Sequence, residues 1–466
     1  MQKLFTKYYN SFLIVLVIEI LLIPLFIIQY QICNNDSNLT LLYSYELLII
    51  YIYIYSSSIK RRGVLDIYSL YLFTLGVFLF GGVFLNIFSD IYDIRYLDSL
   101  VSIKFNEFII QKTISIYIIF LIFCDIFYRL FNRKSKVLYA DDIKTITSNI
   151  SLEIISRRCM LLFSPFALYE AYLLFENLKD NRALLFLEGS SGLDIPIILK
   201  LTSAFFTASY MLLIASYPSK KIFIKYSILY IIPIIPSLAI GNRMMIVTSI
   251  LFILWYVQRM YNYRINTGRL LLYAVSMAIL LQIVAFYRDT QEVNIPFTGL
   301  LMMFFKSQSI SFYIIPLMIY FDSVLIENAY PYMLDSMISG FMISGQSTEA
   351  IIGRSSLGHH LTYSINPDYY FSGFSLGTSY IAETYEFGLW GLLIGAFLLI
   401  LFIYLLDNKI MRNKFLIPFA SMFFYNIVSS PRGSLLPSIY IILKFTVLMA
   451  IILIVGGKLI KLRRNE

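Results

Sequence analysis

Long apolar runs alternate with short polar segments along almost the whole chain, and the runs have the length of membrane helices. A helix crosses a bilayer core with roughly 20 apolar residues. On that measure the pattern predicts spans at Phe12–Tyr30, Leu39–Tyr55, Ile67–Phe88, Phe108–Phe127, Cys159–Phe175 and Ile195–Tyr217. It continues with Tyr226–Ile240, Met244–Val257, Leu270–Tyr287, Tyr380–Leu406, Phe415–Val428 and Ile439–Val455. The expected architecture is an all-α polytopic integral membrane protein with about 12 transmembrane helices, one membrane domain over residues 1–466. The first run is longer than a signal-peptide core and no small-residue cleavage site follows it, so it reads as a retained span. No internal repeat, low-complexity tract or soluble domain interrupts the series.

Loop charge sets the orientation. One set of loops carries Lys3 and Lys7, Lys60 to Arg62, a basic series from Arg129 to Arg158, and Lys220, Lys221 and Lys225. The same set carries Arg259, Arg264 and Arg269, then Lys409, Arg412 and Lys414, then the tail Lys458, Lys461, Arg463 and Arg464. The opposite set holds only Arg95, Lys104, Lys179, Arg182, Arg243, Arg288, Lys306, Arg354 and Arg432. Basic loops stay on the cytoplasmic side, so both termini are expected there.

Composition agrees with that reading. The chain is 59% hydrophobic and 14% charged, against about 25% charged in soluble domains. That is too little charge to coat a water-facing surface. The net charge of +9 follows from the cytoplasmic loops and does not imply nucleic acid. Cys33, Cys124 and Cys159 form neither a disulfide framework nor a metal-ligand spacing.

The largest polar stretch is Arg288–Ser379, an external loop before the last three helices. Within it Phe297–Phe321 is apolar but interrupted by Lys306, Ser307, Gln308 and Ser309. A full crossing there would require a return crossing, for which only Tyr332–Ile352 is available. The segment is therefore expected to re-enter the membrane or lie along its surface.

Several outward residues could carry chemistry. Two short hairpins, Gly241-Asn242-Arg243 and Ser429-Ser430-Pro431-Arg432-Gly433, each place an arginine beside the start of the next helix. A helix N-terminus offers free N–H groups and partial positive charge, so each tip suits an anion at the outer surface. The alternative is an arginine that snorkels to lipid phosphate. Arg288 leaves the membrane beside Asp289, which can pair with it. Lys306 and Gln308 are polar groups inside an apolar stretch, where they need partners or a water-filled cavity.

His359 and His360 are the chain's two histidines. A histidine on the outward side can act as a general base. Adjacent positions point in different directions, so one of the pair at most would act. Without nearby Cys or clustered carboxylates they make a poor metal site. A Gly/Ser-rich approach, Phe371 to Ser379, then leads into Tyr380-Ile381-Ala382-Glu383-Thr384-Tyr385-Glu386-Phe387-Gly388. Glu383 and Glu386 lie three apart on one helix face, a placement that also suits a helix dipole.

This last motif resembles that of the Wzy-type O-antigen and capsule polysaccharide polymerases. The resemblance extends to Gly241-Asn242-Arg243, to Ser307-Gln308-Ser309-Ile310-Ser311 and to Pro431-Arg432-Gly433, covering roughly residues 220–450. The approach to the motif, Phe374-Ser375-Leu376-Gly377, is poorer in glycine than is usual for that family. The resemblance implies a glycosyltransferase of the inner membrane. It would join undecaprenyl-diphosphate-linked oligosaccharide units on the outer face, the growing chain being donor and a single unit acceptor. A chain-length regulator and a flippase are further partners it implies.

The residues fit that chemistry. A glycosyl diphosphate must shed a dianionic leaving group, which requires a metal or fixed cations. No Asp-x-Asp or His/Asp cluster stands out, whereas Arg243, Arg288, Arg354 and Arg432 face outward. Lys306, Gln308 and Tyr380 complete the expected substrate contacts. His359, His360 and Glu383 are the candidate bases of a cofactor-free, metal-independent displacement. Three other readings compete. They are a ligase that transfers finished glycan, a flippase or transporter using Glu46, Glu170, Lys200 and Lys444, and a polyprenyl-monophosphate sugar transferase using Asp90 and Asp93.

Overall fold

The computed structural model describes the chain outside residues 1, 89–91, 98–101, 133–148, 179–194 bar Leu187, 241–242, most of 264–296, 323–324, 343–344 and 465–466. Among the described residues, ten helices are long and apolar enough to cross a membrane. Their elements are α1 (Gln2–Gln31), α2 (Ser37–Arg62), a joined α3 (Ile67–Leu75) and α4 (Gly81–Phe88), α5 (Glu107–Asn132), α6 (Ile150–Leu178) and α7 (Ile197–Ala215). After α8 (Lys220–Ile231) and α9 (Pro236–Ile240) come α10 (Arg243–Tyr261) and a joined α11 (Phe297–Gln308) and α12 (Ile314–Tyr320). The long connection from α12 to the next span holds α13 (Tyr332–Ile338), α14 (Thr348–Gly353), α15 (Leu357–Ile365) and α16 (Pro367–Phe371). Then follow α17 (Tyr380–Tyr385), α18 (Gly388–Asn408), α19 (Ala420–Ser429) and α20 (Ile439–Arg464). The multi-pass membrane architecture expected from the hydropathy pattern is therefore present.

Three expected spans look different, each for a local reason. Tyr226–Ile240 is broken by Pro233 and Pro236 into α8, a 3-10 turn and α9, because proline lacks an N–H and clashes with the preceding turn. Phe415–Val428 becomes a 3-10 turn around Pro418 and the 10-residue α19, about 15 Å long. Tyr380–Leu406 divides into α17 and α18 where Gly388 takes φ +58°, a left-handed value that glycine adopts without strain. The candidate span thus starts at Gly388, and the acidic motif of α17 stands outside it. Most of Leu270–Tyr287 lies outside the described residues.

The ends of the helices on the basic-loop side are tied by a buried ionic network. Arg61 and Arg129 reach Asp125 at 3.0 and 2.6 Å, and Arg129 also reaches Glu19 at 3.1 Å. Arg62 and Arg259 each lie 3.3 Å from Asp407, while Tyr128 donates to Asp66 at 2.8 Å. Buried charge is tolerated only when paired, and these partners come from α1, α2, α3, α5, α10 and α18.

At the other end, the α11–α12 segment packs onto the α3–α4 rod. A π-helical turn, Gly76–Phe80, joins α3 to α4. There α11 runs along α4, and the 3-10 turn Ser309–Tyr313 lies on the π turn. The approach requires glycine. A Cβ on Gly82 would stand 2.9 Å from the Ser309 side chain, and one on Gly81 would stand 2.7 Å from the Phe305 ring. Tyr117 donates to the Phe312 carbonyl and Tyr313 to that of Tyr96. The Tyr320 ring meets Phe105, just ahead of α5, edge-on at 5.9 Å. Met302–Tyr320 has the length and composition of a crossing helix. It packs along α4, the π turn and α5.

Candidate active site

Glu383 occupies the first turn of α17, one turn after the Gly/Ser-rich approach. That approach is fixed to α15: the Leu376 N–H donates to Thr362 Oγ1 at 3.1 Å. Gly358 lies so close beneath Gly377 that a Cβ would stand 2.5 Å from its carbonyl oxygen. Glu383 is 3% exposed. Its Oε1 accepts from Thr378 Oγ1 at 3.0 Å and from Ser434 Oγ. Its Oε2 is buried and has no hydrogen-bond partner among the described residues. Burial lifts this carboxyl to about 8; the Ser434 and Thr378 hydroxyls oppose the rise, and Asp335 and Glu386 add to it. A buried carboxylate oxygen with no donor is costly, so the site favours the protonated carboxyl at neutral pH.

Ser434 brings the second part of the site. It stands two residues after Arg432, so the tip between α19 and α20 is joined to Glu383 by a hydroxyl. Arg432 donates through one guanidinium nitrogen to Gln308 Oε1 at 2.8 Å, and its guanidinium lies over the Phe78 ring at 5.8 Å. Among the described residues no carboxylate is within ion-pair distance of it. The side chain is exposed yet walled by protein, and desolvation lowers its pKa from the usual arginine value. The polar triplet of α11, the Pro-Arg-Gly tip and the Tyr-Ile-Ala-Glu motif thus meet in one place, at the π turn of the α3–α4 rod.

The other expected site residues have separate placements. His360 is fully buried, with Nδ1 on the Tyr332 hydroxyl at 3.0 Å and Nε2 facing the Ile351 and Arg354 carbonyls at 3.1 and 2.9 Å. Both ring nitrogens are occupied by the fold. His359 is half-buried and meets the Tyr370 hydroxyl through Nδ1 at 3.1 Å. Burial, helped by Arg354, pushes it down to about 4, so it is neutral across the physiological range. Arg354 is paired with Asp335 at 2.8 Å. Tyr380 is buried and donates to the Gly395 carbonyl at 3.0 Å, so its hydroxyl faces α18. Lys306 is exposed on α11.

Arg243 opens α10, which packs on α19 through Phe252, Trp255 and Phe424. Arg243 and Arg432 therefore adjoin neighbouring helices, and since Arg259 at the far end of α10 pairs with Asp407, the two lie at the same end. Arg288 and Asp90 lie outside the described residues. Asp93 is held by Arg95, at 2.7 Å between Oδ2 and Nη2. Among the described residues no three His, Cys, Asp or Glu side chains group as a metal site.

Sequence reasoning overlooked Ser434, Thr378 and Asp335. Single hydroxyls carry no pattern, and Asp335 is one acid in a loop. Glu386 also proved to be a fastener. It accepts from the Asn328 amide and from the Tyr332 N–H, the latter at 2.8 Å, tying the loop to α17.

The family model for O-antigen polysaccharide polymerase Wzy matches residues 14–465. The chain belongs to that family. The match spans nearly the whole chain, well beyond residues 220–450, where the motifs lie. No curated protein and no solved structure matches. As a Wzy-family member, the protein is a multi-pass membrane enzyme of O-antigen polysaccharide polymerisation. The ligase, transporter and monophosphate-transferase readings are not favoured.

Proposed function

We propose that the protein joins undecaprenyl-diphosphate-linked oligosaccharide repeat units on the outer face of the inner membrane. The hydroxyl oxygen of a single carrier-bound unit attacks the anomeric carbon at the reducing end of the growing chain. The bond from that carbon to the diphosphate oxygen breaks, and the diphosphate leaves on its lipid. Glu383, as carboxylate, takes the acceptor proton through Oε2. Arg432 meets the charge that develops on the leaving group, its guanidinium steadied by Gln308. Arg243, at the neighbouring tip, supplies a second cation. A fixed cation aimed at developing charge is worth several kcal/mol, and no metal is needed in this scheme. Attack opposite the leaving group gives inversion.

One observation carries the reading: Ser434 joins the Arg432 tip to a buried carboxyl with one oxygen unpartnered. In this reading the bond from Arg432 holds Gln308 at the outer side. A chain-length regulator and a flippase are the partners this reading implies. The deciding experiment is surface glycan from a deletion strain. Lipid core bearing one repeat unit in place of a ladder is expected. An unchanged ladder overturns the reading, and core bearing no repeat unit at all points to a ligase.

A further inference from the structure

The loop between α18 and α19, on the cytoplasmic side by loop charge, borders an open surface cavity of about 510 Å³. It is lined by Asn408, Lys409, Arg412, Asn413, Lys414 and Phe415. Three cations share this small space. Among the described residues no carboxylate is within ion-pair distance of them, and Asp407, the acid nearest in sequence, is taken by Arg62 and Arg259. The loop is held firmly from behind. Ile410, Met411 and Ile417 are buried, Tyr217 donates to the Met411 carbonyl at 3.1 Å, and Asn413 Oδ1 receives the Phe415 N–H at 2.9 Å. Anchoring Ile410 and Met411 inward turns the flanking cations outward. Phe415 is 87% exposed and Leu416 42%, the former being the most exposed large apolar side chain among those described. An aromatic and an aliphatic side chain beside three cations match the two halves of a membrane lipid: acyl chain and anionic headgroup.

We propose that this cavity binds the phosphate headgroup of an anionic phospholipid of the inner leaflet, with Phe415 and Leu416 seated among its acyl chains. The site is independent of the polymerase reading and lies at the opposite end of α18 from Glu383. It is tested on full-length protein by native mass spectrometry, with phosphatidylglycerol and phosphatidylcholine offered in equal amounts. Wild-type protein is expected to retain phosphatidylglycerol preferentially. Each juxtamembrane cation contributes about fivefold at an anionic surface. The triple variant Lys409→Gln/Arg412→Gln/Lys414→Gln should therefore lose on the order of a hundredfold in preference. The control Lys221→Gln/Lys225→Gln, at the start of α8 and away from the cavity, should leave it unchanged. If the triple variant does not fold, Lys414→Gln alone reads about fivefold and Phe415→Ser weakens retention of both lipids. Equal retention by wild type and folded variants overturns the proposal. Displacement of the lipid by millimolar inorganic phosphate assigns the cavity to a soluble anion and overturns it as well.

Discussion

Replacing Glu383 by glutamine separates a base from a structural carboxyl. The side chain stays the same size, and its remaining carbonyl oxygen can still accept from Thr378 and Ser434, the two donors present now. What is lost is a proton acceptor at the position of Oε2. Removing a general base typically costs about 10²–10⁴-fold in rate, enough to erase a polymer ladder. Stability should move the other way. Burial raises this group from 4.5 to about 8, so its stabilising contribution is complete below pH 4.5 and is lost as pH rises through about 8. At about 1.4 kcal/mol per unit, the ceiling on that loss is about 5 kcal/mol. The amide of Glu383→Gln carries no charge and escapes it, so the variant should melt a few degrees higher at pH 8 than wild type and no higher at pH 4.5. The wild-type rate should climb about tenfold per pH unit below 8, as the carboxylate fraction grows. The assays are polymerisation of lipid-linked repeat units by purified enzyme and thermal melting across pH. A Glu383→Gln enzyme that polymerises at near-normal rates would refute the assignment, whatever its melting behaviour.

Four further outcomes follow from the geometry. Arg432→Ala should lower the polymerisation rate a few hundredfold, about 3–4 kcal/mol, and Arg432→Lys should retain weak activity because an ammonium lacks the bidentate fork; full activity in the Lys enzyme would make Arg432 a snorkelling residue. His360→Ala should destabilise the protein by about 1–3 kcal/mol, since it strands the Tyr332 hydroxyl and a buried carbonyl, whereas His359→Ala should leave a normal ladder; glycan gels alongside protein level check both. Reporter fusions after Lys134, Lys221, Arg264 and Lys414 should read cytoplasmic and fusions within Arg288–Ser379 external, and one internal signal between Asn328 and Gln346 would break the large loop in two. Asp125→Ala should cost about 1–3 kcal/mol, since it leaves buried Arg129 with Glu19 alone while exposed Arg61 turns to water, visible as a lowered melting point in detergent.

The membrane architecture was legible because hydropathy is a one-dimensional signal: a span needs apolar length wherever it occurs. It misled where length was present without helical continuity, at Pro233, Pro236 and Pro418, and where Gly388 divided one apolar run into a short helix and a span. The ionic network on the basic-loop side was invisible for a different reason. Along the chain Arg61, Arg62, Arg129 and Arg259 register as topology signals, and nothing there pairs them with Glu19, Asp66, Asp125 or Asp407. Pairing is a property of packed helices.

The two hairpin arginines and the two histidines show the same limit within the site. In sequence Arg243 and Arg432 look equivalent, each beside a new helix, and His359 and His360 look equivalent because they adjoin. Their environments differ. Arg432 is approached by Gln308 from a segment more than a hundred positions earlier, and its tip is bound to Glu383 through Ser434. His360 has both nitrogens committed to Tyr332 and to backbone carbonyls. His359 keeps one nitrogen free of protein partners among the described residues but is held neutral. A base must be available and close in pKa to the working pH. A carboxyl at about 8 with an empty oxygen meets both conditions better than an imidazole at about 4 or one fully engaged by the fold. Under the proposed function, that comparison favours the acid of α17 over the two histidines as proton acceptor.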